Sequence, residues 1–220
     1  MSVILEGRDI KKSIGENEIL KGISIQISAG DFMSIVGASG SGKSSLMYIL
    51  GLLDAPTSGD VIIDGNRVDF GDAKLLSGIR NRKIGFVFQF HYLITELTAY
   101  ENVLIPMLKN GGRDGESAKA RSYALIESLG LKGKEDRKPY QLSGGEQQRA
   151  AIARALANEP EIIMADEPTG NLDSKNSAMV MDVFIELNEK GRSILMITHE
   201  MYLAKETKSV LEIKDGLIVT

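Results

Sequence analysis

Apolar residues recur along this chain with two periods, and the switches between them outline its elements. Ile23, Ile25 and Ile27 alternate with polar neighbours, as in a strand with one buried face, and Val61 to Phe70 holds short apolar runs around an Asp64-Gly65 turn. Tighter runs at Phe32 to Val36, Ile162 to Ala165 and Ile194 to Ile197 predict buried strands, and Ile84 to Gln89 resumes the same core. From about Thr98 to Ala157 the period turns helical, broken by a loop at Asn110 to Glu116 whose Gly, Asp and Arg content marks it as exposed. Ser174 to Lys190 predicts one long amphipathic helix closing at Gly191, and Asp215-Gly216 a terminal hairpin. The pattern predicts a single α/β domain over residues 1–220. Its core runs over about 1–97 and 158–220, β-rich in the first third, with a helical subdomain over about 98–157.

Candidate chemistry begins at Gly37, where GASGSGKS satisfies G-x-x-x-x-G-K-S between an apolar strand and the apolar helical run Leu46 to Leu53. A glycine-rich turn of Gly37, Ala38, Ser39, Gly40, Ser41 and Gly42 lets backbone N–H groups converge on phosphate oxygens. The positive end of the next helix reinforces the same anion site. Lys43 is placed to reach the β- and γ-phosphates, the Ser44 hydroxyl to take one position on an octahedral Mg²⁺, and Ser45 to touch the α-phosphate side.

A second element of that site is predicted at Asp166 and Glu167, an acid pair closing a buried strand, where α/β sheets place their ligands. Asp166 is expected to hold Mg²⁺, directly or through water, and Glu167 to act as general base on the attacking water. Farther upstream, Ser143-Gly-Gly-Glu146 has the form of a capping box ahead of an alanine-rich helix, Gln147 to Ala157. From the residues alone two readings stand: a well-capped surface helix, or a helix N-terminus at which Gly144 and Gly145 leave N–H groups open to an anion. His199, just past the run Ile194 to Ile197, is likewise either a structural hydrogen-bonder or a catalytic group.

Composition narrows the classes. The chain has no cysteine, which excludes disulfides and thiolate metal sites, and a net charge of -4, which gives no global basic footprint for nucleic acid. No apolar run approaches the roughly 20 residues that cross a bilayer, and Met1 to Leu20 lacks a signal-peptide pattern. Membrane attachment is therefore expected through a partner.

Taken in order, the phosphate loop, Gln89, LSGGEQQR at Leu142 to Arg149, the acid pair, Gly170 to Asp173 and His199 resemble the nucleotide-binding subunits of ATP-binding cassette (ABC) transporters, from about Val3 to Val219. That resemblance implies a P-loop NTPase (RecA-like) core with an N-terminal antiparallel β subdomain and an inserted α-helical subdomain. It implies ATP and Mg²⁺ as ligands, and two copies sandwiching two ATP molecules head to tail. Ser143, Gly144 and Gly145 would meet the γ-phosphate held by the other copy, with Asp173 supporting communication between the sites. Gln89 would reach the Mg²⁺ and the water, and His199 would contact the γ-phosphate and position the water and Glu167. Hydrolysis is expected to rest on positioning and electrostatics, with no phosphoenzyme. Integral-membrane subunits would dock in a groove near Phe90 to Met107, where Phe90, His91, Tyr92, Leu93 and Leu97 offer an amphipathic surface. The protein would then lie peripherally on the cytoplasmic face of the bacterial inner membrane.

Softer strings, GLLDAPTSGDV, FQFHYL, LTAYENV and ADEPTGNLD, look most like ATPases of bacterial lipoprotein-releasing systems. Macrolide exporters and a regulatory, nucleotide-gated clamp of the cell-division type share much of this vocabulary and remain open. Three positions depart from the family pattern. Ile14 stands where an aromatic commonly stacks on adenine, Ile94-Thr95-Glu96 replaces a usual Leu-Pro-acid stretch, and Ser45 replaces a common threonine.

Overall fold

The computed structural model describes residues 2–109 and 114–219. A long hairpin opens the chain, β1 (Val3–Ile14) pairing antiparallel with β2 (Asn17–Ser28) across a turn at Gly15, whose φ is 60°. Along β2 the predicted alternation holds, with Leu20, Ile23, Ile25 and Ile27 all buried. β4 (Ser58–Ile63) and the short β5 (Asn66–Arg67) complete a four-stranded antiparallel sheet in the order β2-β1-β4-β5, turning at Asp64-Gly65 as expected.

The second sheet has six strands. β3 (Phe32–Val36), β6 (Ile84–Phe88), β7 (Ile162–Asp166) and β8 (Ser193–Ile197) run parallel in it. So does β9 (Ser209–Lys214), which turns at Asp215-Gly216 into β10 (Leu217–Ile218), giving the order β10-β9-β3-β8-β7-β6. Successive side chains of β7 and β8 point to opposite faces and enter different cores. Ile162, Met164, Leu195 and Ile197 pack toward the antiparallel sheet and α1 (Lys43–Leu50). Ile163, Ala165, Ile194 and Met196 pack with α3 (Ala99–Leu108), α4 (Gly115–Ser128), α5 (Gly144–Ala155) and α6 (Ser174–Glu189). Each fully buried Ile or Leu contributes on the order of 1.5–3 kcal/mol, so both faces of the sheet are committed. The architecture is the α/β core with an antiparallel β subdomain and a helical insert that the sequence predicts.

Several boundaries differ from expectation. The β-rich first third also carries α2 (Ala73–Lys83), capped by the Asp72 carboxylate, which accepts from the Lys74 and Leu75 N–H groups. Of the loop expected at Asn110 to Glu116, residues 110–113 lie outside the described residues, while Gly115 and Glu116 already form the first turn of α4 behind the Asp114 cap. The helix after the phosphate loop begins at Lys43 rather than Leu46, and the signature helix α5 begins at Gly144 and ends at Ala155 rather than running from Gln147 to Ala157.

Register decides where the chemistry gathers. Phe88 pairs with Asp166, Asp166 with Ile197 and Ile197 with Ile35, so four parallel strands end level with one another. Gln89, Glu167, His199 and the phosphate loop are thereby delivered to one edge of the sheet, outside the strands' carboxyl ends.

Candidate functional site

The phosphate loop is wedged between the two sheets. Gly37 has φ 144°, and a Cβ there would come within 2.1 Å of the Ile213 carbonyl oxygen; at Gly42, with φ 104°, it would meet Leu20 at 2.7 Å. Only glycine fits either position. The loop opens onto a cavity of about 280 Å³ lined by Ile19, Ser39, Gly40, Gly42, Lys43, Ser44, Ser45 and Glu167. Gly37, Ala38 and Ser41 lie outside this lining; the Gly37 and Ala38 carbonyls each accept from Lys43 Nζ at 2.8 Å, and Ser41 is buried. Lys43 is only 6% exposed, so its ammonium is held on neutral acceptors that an anionic phosphate can outcompete.

At the end of β7, Asp166 Oδ1 accepts from the Ser44 hydroxyl at 3.3 Å and Oδ2 from the Tyr48 hydroxyl at 2.9 Å. Burial pushes the Asp166 carboxyl above the usual carboxylate range, an effect that these two hydrogen bonds oppose and the neighbouring Glu167 reinforces. Burial and the adjacent Asp166 raise the Tyr48 phenol to about 12. Glu167 sits at φ 46°, a left-handed geometry uncommon for a non-glycine residue, and its N–H is held by the Ile197 carbonyl at 3.0 Å. His199 Nδ1 lies 3.2 Å from Glu167 Oε2. Six of the sequence-predicted groups, Lys43, Ser44, Ser45, Asp166, Glu167 and His199, thus converge on one cavity or its immediate wall.

Gln89 is held elsewhere. Its Nε2 donates to Asn171 Oδ1 at 3.3 Å, and Asn171 Nδ2 donates back to the Gln89 carbonyl at 3.2 Å, so Gln89 is tied to the segment before Asp173 rather than to Ser44 or Asp166. The capping box at Ser143 is formed, with Glu146 accepting from the Ser143 N–H at 2.9 Å; a hydrogen bond from Lys134 and that N–H hold the Glu146 carboxyl below its usual range. Asp173 caps α6, accepting from the Asn176 N–H at 2.8 Å and from its Nδ2 at 2.9 Å. Asn176 in turn packs so closely on Gly145 that a Cβ there would fall 2.2 Å from its Oδ1. None of Ser143, Gly144, Gly145 or Asp173 lines the phosphate-loop cavity of its own chain.

Sequence reasoning missed the residues that lock these parts together. Buried Gln148 donates to the Pro168 carbonyl at 2.6 Å and the Phe88 carbonyl at 3.4 Å, tying α5 to the strand ends. Arg154, the last basic residue of α5, donates to the His91 carbonyl at 2.7 Å and also to that of Tyr92, two consecutive residues with positive φ. Asn102 pins the following loop through Ile94 N–H at 2.7 Å and the Ile94, Leu97 and Thr98 carbonyls. Gln148 was findable, lying three residues after Gly145 and four before Ile152 on one helix face; Tyr48, Asn171 and Asn176 carry no comparable signal.

The surface expected over Phe90 to Met107 is only partly there. Phe90 and Tyr92 are exposed, but Leu93 and Met107 are buried and belong to the core. The nearby groove, about 290 Å³, is lined instead by Phe88, Pro106 and Arg154 together with Leu53, Arg80 and Lys109. Its cations donate to neutral oxygens, Arg80 to the Leu52 carbonyl at 2.6 Å and Lys109 to the Ser77 hydroxyl at 3.0 Å.

Residues 20–170 match the ABC transporter family. The chain is 61% identical over 219 residues to the lipoprotein-releasing system ATP-binding protein LolD of Aquifex aeolicus, an alignment spanning 100% of this chain and 97% of that protein. It is 46% identical over 220 residues to the macrolide export ATP-binding/permease protein MacB of Mannheimia succiniciproducens, covering 98% of this chain and 34% of that protein. A solved dimeric ATP-binding cassette in a post-hydrolysis state, bound to ADP and Pi, superposes with a TM-score of 0.89 at 41% identity, covering 99% of this chain and 97% of that one.

Proposed function

Because this chain belongs to the ABC transporter family of ATP-hydrolysing cassettes, we propose that it energises the release of lipoproteins from the bacterial inner membrane through ATP-driven closure of two copies. The observation that carries the chemistry is the Glu167–His199 contact of 3.2 Å beside a glycine loop and a buried lysine. The phosphates of ATP lie on the loop N–H groups, and Lys43 moves from the Gly37 and Ala38 carbonyls to phosphate oxygen. Glu167 takes a proton from water as the water oxygen bonds to the γ-phosphorus; the bond from that phosphorus to the bridging oxygen breaks, leaving its electron pair on ADP. His199 holds Glu167 and the water in line. Gln89 approaches the water and the cation once released from Asn171.

Mg²⁺ fits the donors present, since the Ser44 hydroxyl and the Asp166 carboxylate, hard oxygens 3.3 Å apart, would hold it. When bound, the ion neutralises charge on the β- and γ-oxygens. In this reading Ser143, Gly144 and Gly145 serve the other copy's ATP, as their absence from their own chain's cavity suits, and Asp173 supports the interface through Asn176.

Among the described residues no helix is long and apolar enough to cross a membrane. In this reading, supported by the similarity to a lipoprotein-releasing system ATP-binding protein, the work reaches the bilayer through partner subunits on its cytoplasmic face. The groove beside Phe88, lined by apolar Leu53, Phe86 and Pro106 and by Arg80, Lys109 and Arg154, suits an amphipathic helix that brings carboxylates. A macrolide-type exporter is the second reading, favoured by the 46% identity to a macrolide export protein. Purification from the native inner membrane in mild detergent, with mass spectrometry of what co-purifies, separates the two. Lipoprotein-releasing permeases with large periplasmic domains are expected; a drug-export permease would keep the ATPase and overturn the cargo.

A further inference from the structure

We propose that Tyr48 is a positioning residue for the nucleotide-bound cation, orienting Asp166 so that one carboxylate oxygen is presented to Mg²⁺ beside Ser44. This rests on the reading of Asp166 as a Mg²⁺ ligand. A carboxylate has two equivalent oxygens and a rotatable stem, and each must be directed if one is to meet a small ion that demands near-octahedral geometry. Here the division is already made: the Tyr48 hydroxyl donates to Oδ2 at 2.9 Å, leaving Oδ1 toward the Ser44 hydroxyl at 3.3 Å. Ser44 and Tyr48 lie four apart on α1, hence on one helix face, and the two hydroxyls grip the carboxylate from the same side.

The phenol is itself fixed. Its ring meets Phe88 edge-on at 6.3 Å, Phe88 stacks on Phe86 at 5.7 Å, and Phe88 also meets Tyr92 edge-on at 5.3 Å. Phe88 directly precedes Gln89, and the Tyr92 carbonyl accepts from Arg154 of the signature helix. A ring cluster therefore runs from the Asp166 carboxylate to the surface loop, and Tyr48 is its polar end. Hydrogen bonds to ligating carboxylates typically change metal affinity by roughly 10–100-fold when removed.

The test uses Tyr48→Phe, which keeps the ring and its packing on Phe88 and deletes only the donor. Binding of a fluorescent ATP analogue is measured in EDTA and then across a Mg²⁺ titration, with Asp166→Asn in parallel. Tyr48→Phe is expected to bind the analogue like the parent in EDTA but to need roughly ten-fold more Mg²⁺ for the cation-dependent increase. Asp166→Asn is expected to lose that increase. A parent-like Mg²⁺ requirement in Tyr48→Phe, with the increase lost in Asp166→Asn, overturns the role of Tyr48 and leaves that of Asp166 standing. A parent-like titration in Asp166→Asn removes the reading on which the proposal rests.

Discussion

Glu167→Gln slows phosphate release by at least about 100-fold while ATP still binds and two copies stay closed around it. The size follows from losing the general base that the proposed mechanism places at Glu167, and the retention of binding follows from the geometry. Glu167 contributes one side of the phosphate-loop cavity but none of the loop's N–H groups, and the Lys43 ammonium is held by Gly37 and Ala38 rather than by Glu167. Glutamine has nearly the same shape, so the His199 contact and the left-handed backbone at φ 46° persist. Phosphate release and gel filtration with ATP measure the two halves. A variant that turns over at the parental rate removes Glu167 from the base role.

Gly145→Ala lowers turnover on the order of 100-fold, with little change in ATP binding to isolated copies. The added Cβ would fall 2.2 Å from Asn176 Oδ1 and 3.1 Å from its Cβ, so the whole side chain must move and not its tip alone. That movement breaks the 2.9 Å bond to Asp173 Oδ2 and places a methyl group beside the N–H groups that the proposed function assigns to the opposite ATP. Overpacking costs about 1–3 kcal/mol, while alanine favours the helix by up to about 1 kcal/mol over glycine. Melting temperature therefore shifts modestly as turnover falls steeply. Comparing kcat with thermal unfolding checks this; parental kcat would detach the Gly145–Asn176 contact from the reaction.

What could be read in advance was whatever neighbouring residues encode. The buried strands β3, β7 and β8 announce themselves as short apolar runs, and the phosphate loop carries its geometry in contiguous glycines. The helix α2 is hard to read because its apolar face is short, Leu76 and Ile79 packing only partly buried against the core beside buried Gly78. Leu93 was misplaced onto the surface because His91 and Tyr92, both at positive φ, turn the chain and drive it inward. Contacts such as Tyr48 to Asp166 and Gln89 to Asn171 join positions 118 and 82 residues apart, which only the fold brings together.

The central claim, that the phosphate loop of one copy and the signature of another enclose a shared ATP, meets its most direct test in cross-linking, which the absence of cysteine makes clean. One population carries Ser39→Cys and another Ser143→Cys, both in the Glu167→Gln background, and the two are mixed under mild oxidation. A disulfide joining the two populations, formed with ATP and Mg²⁺ and absent without nucleotide, is the predicted result. Bound ATP with no such cross-link would contradict the shared site.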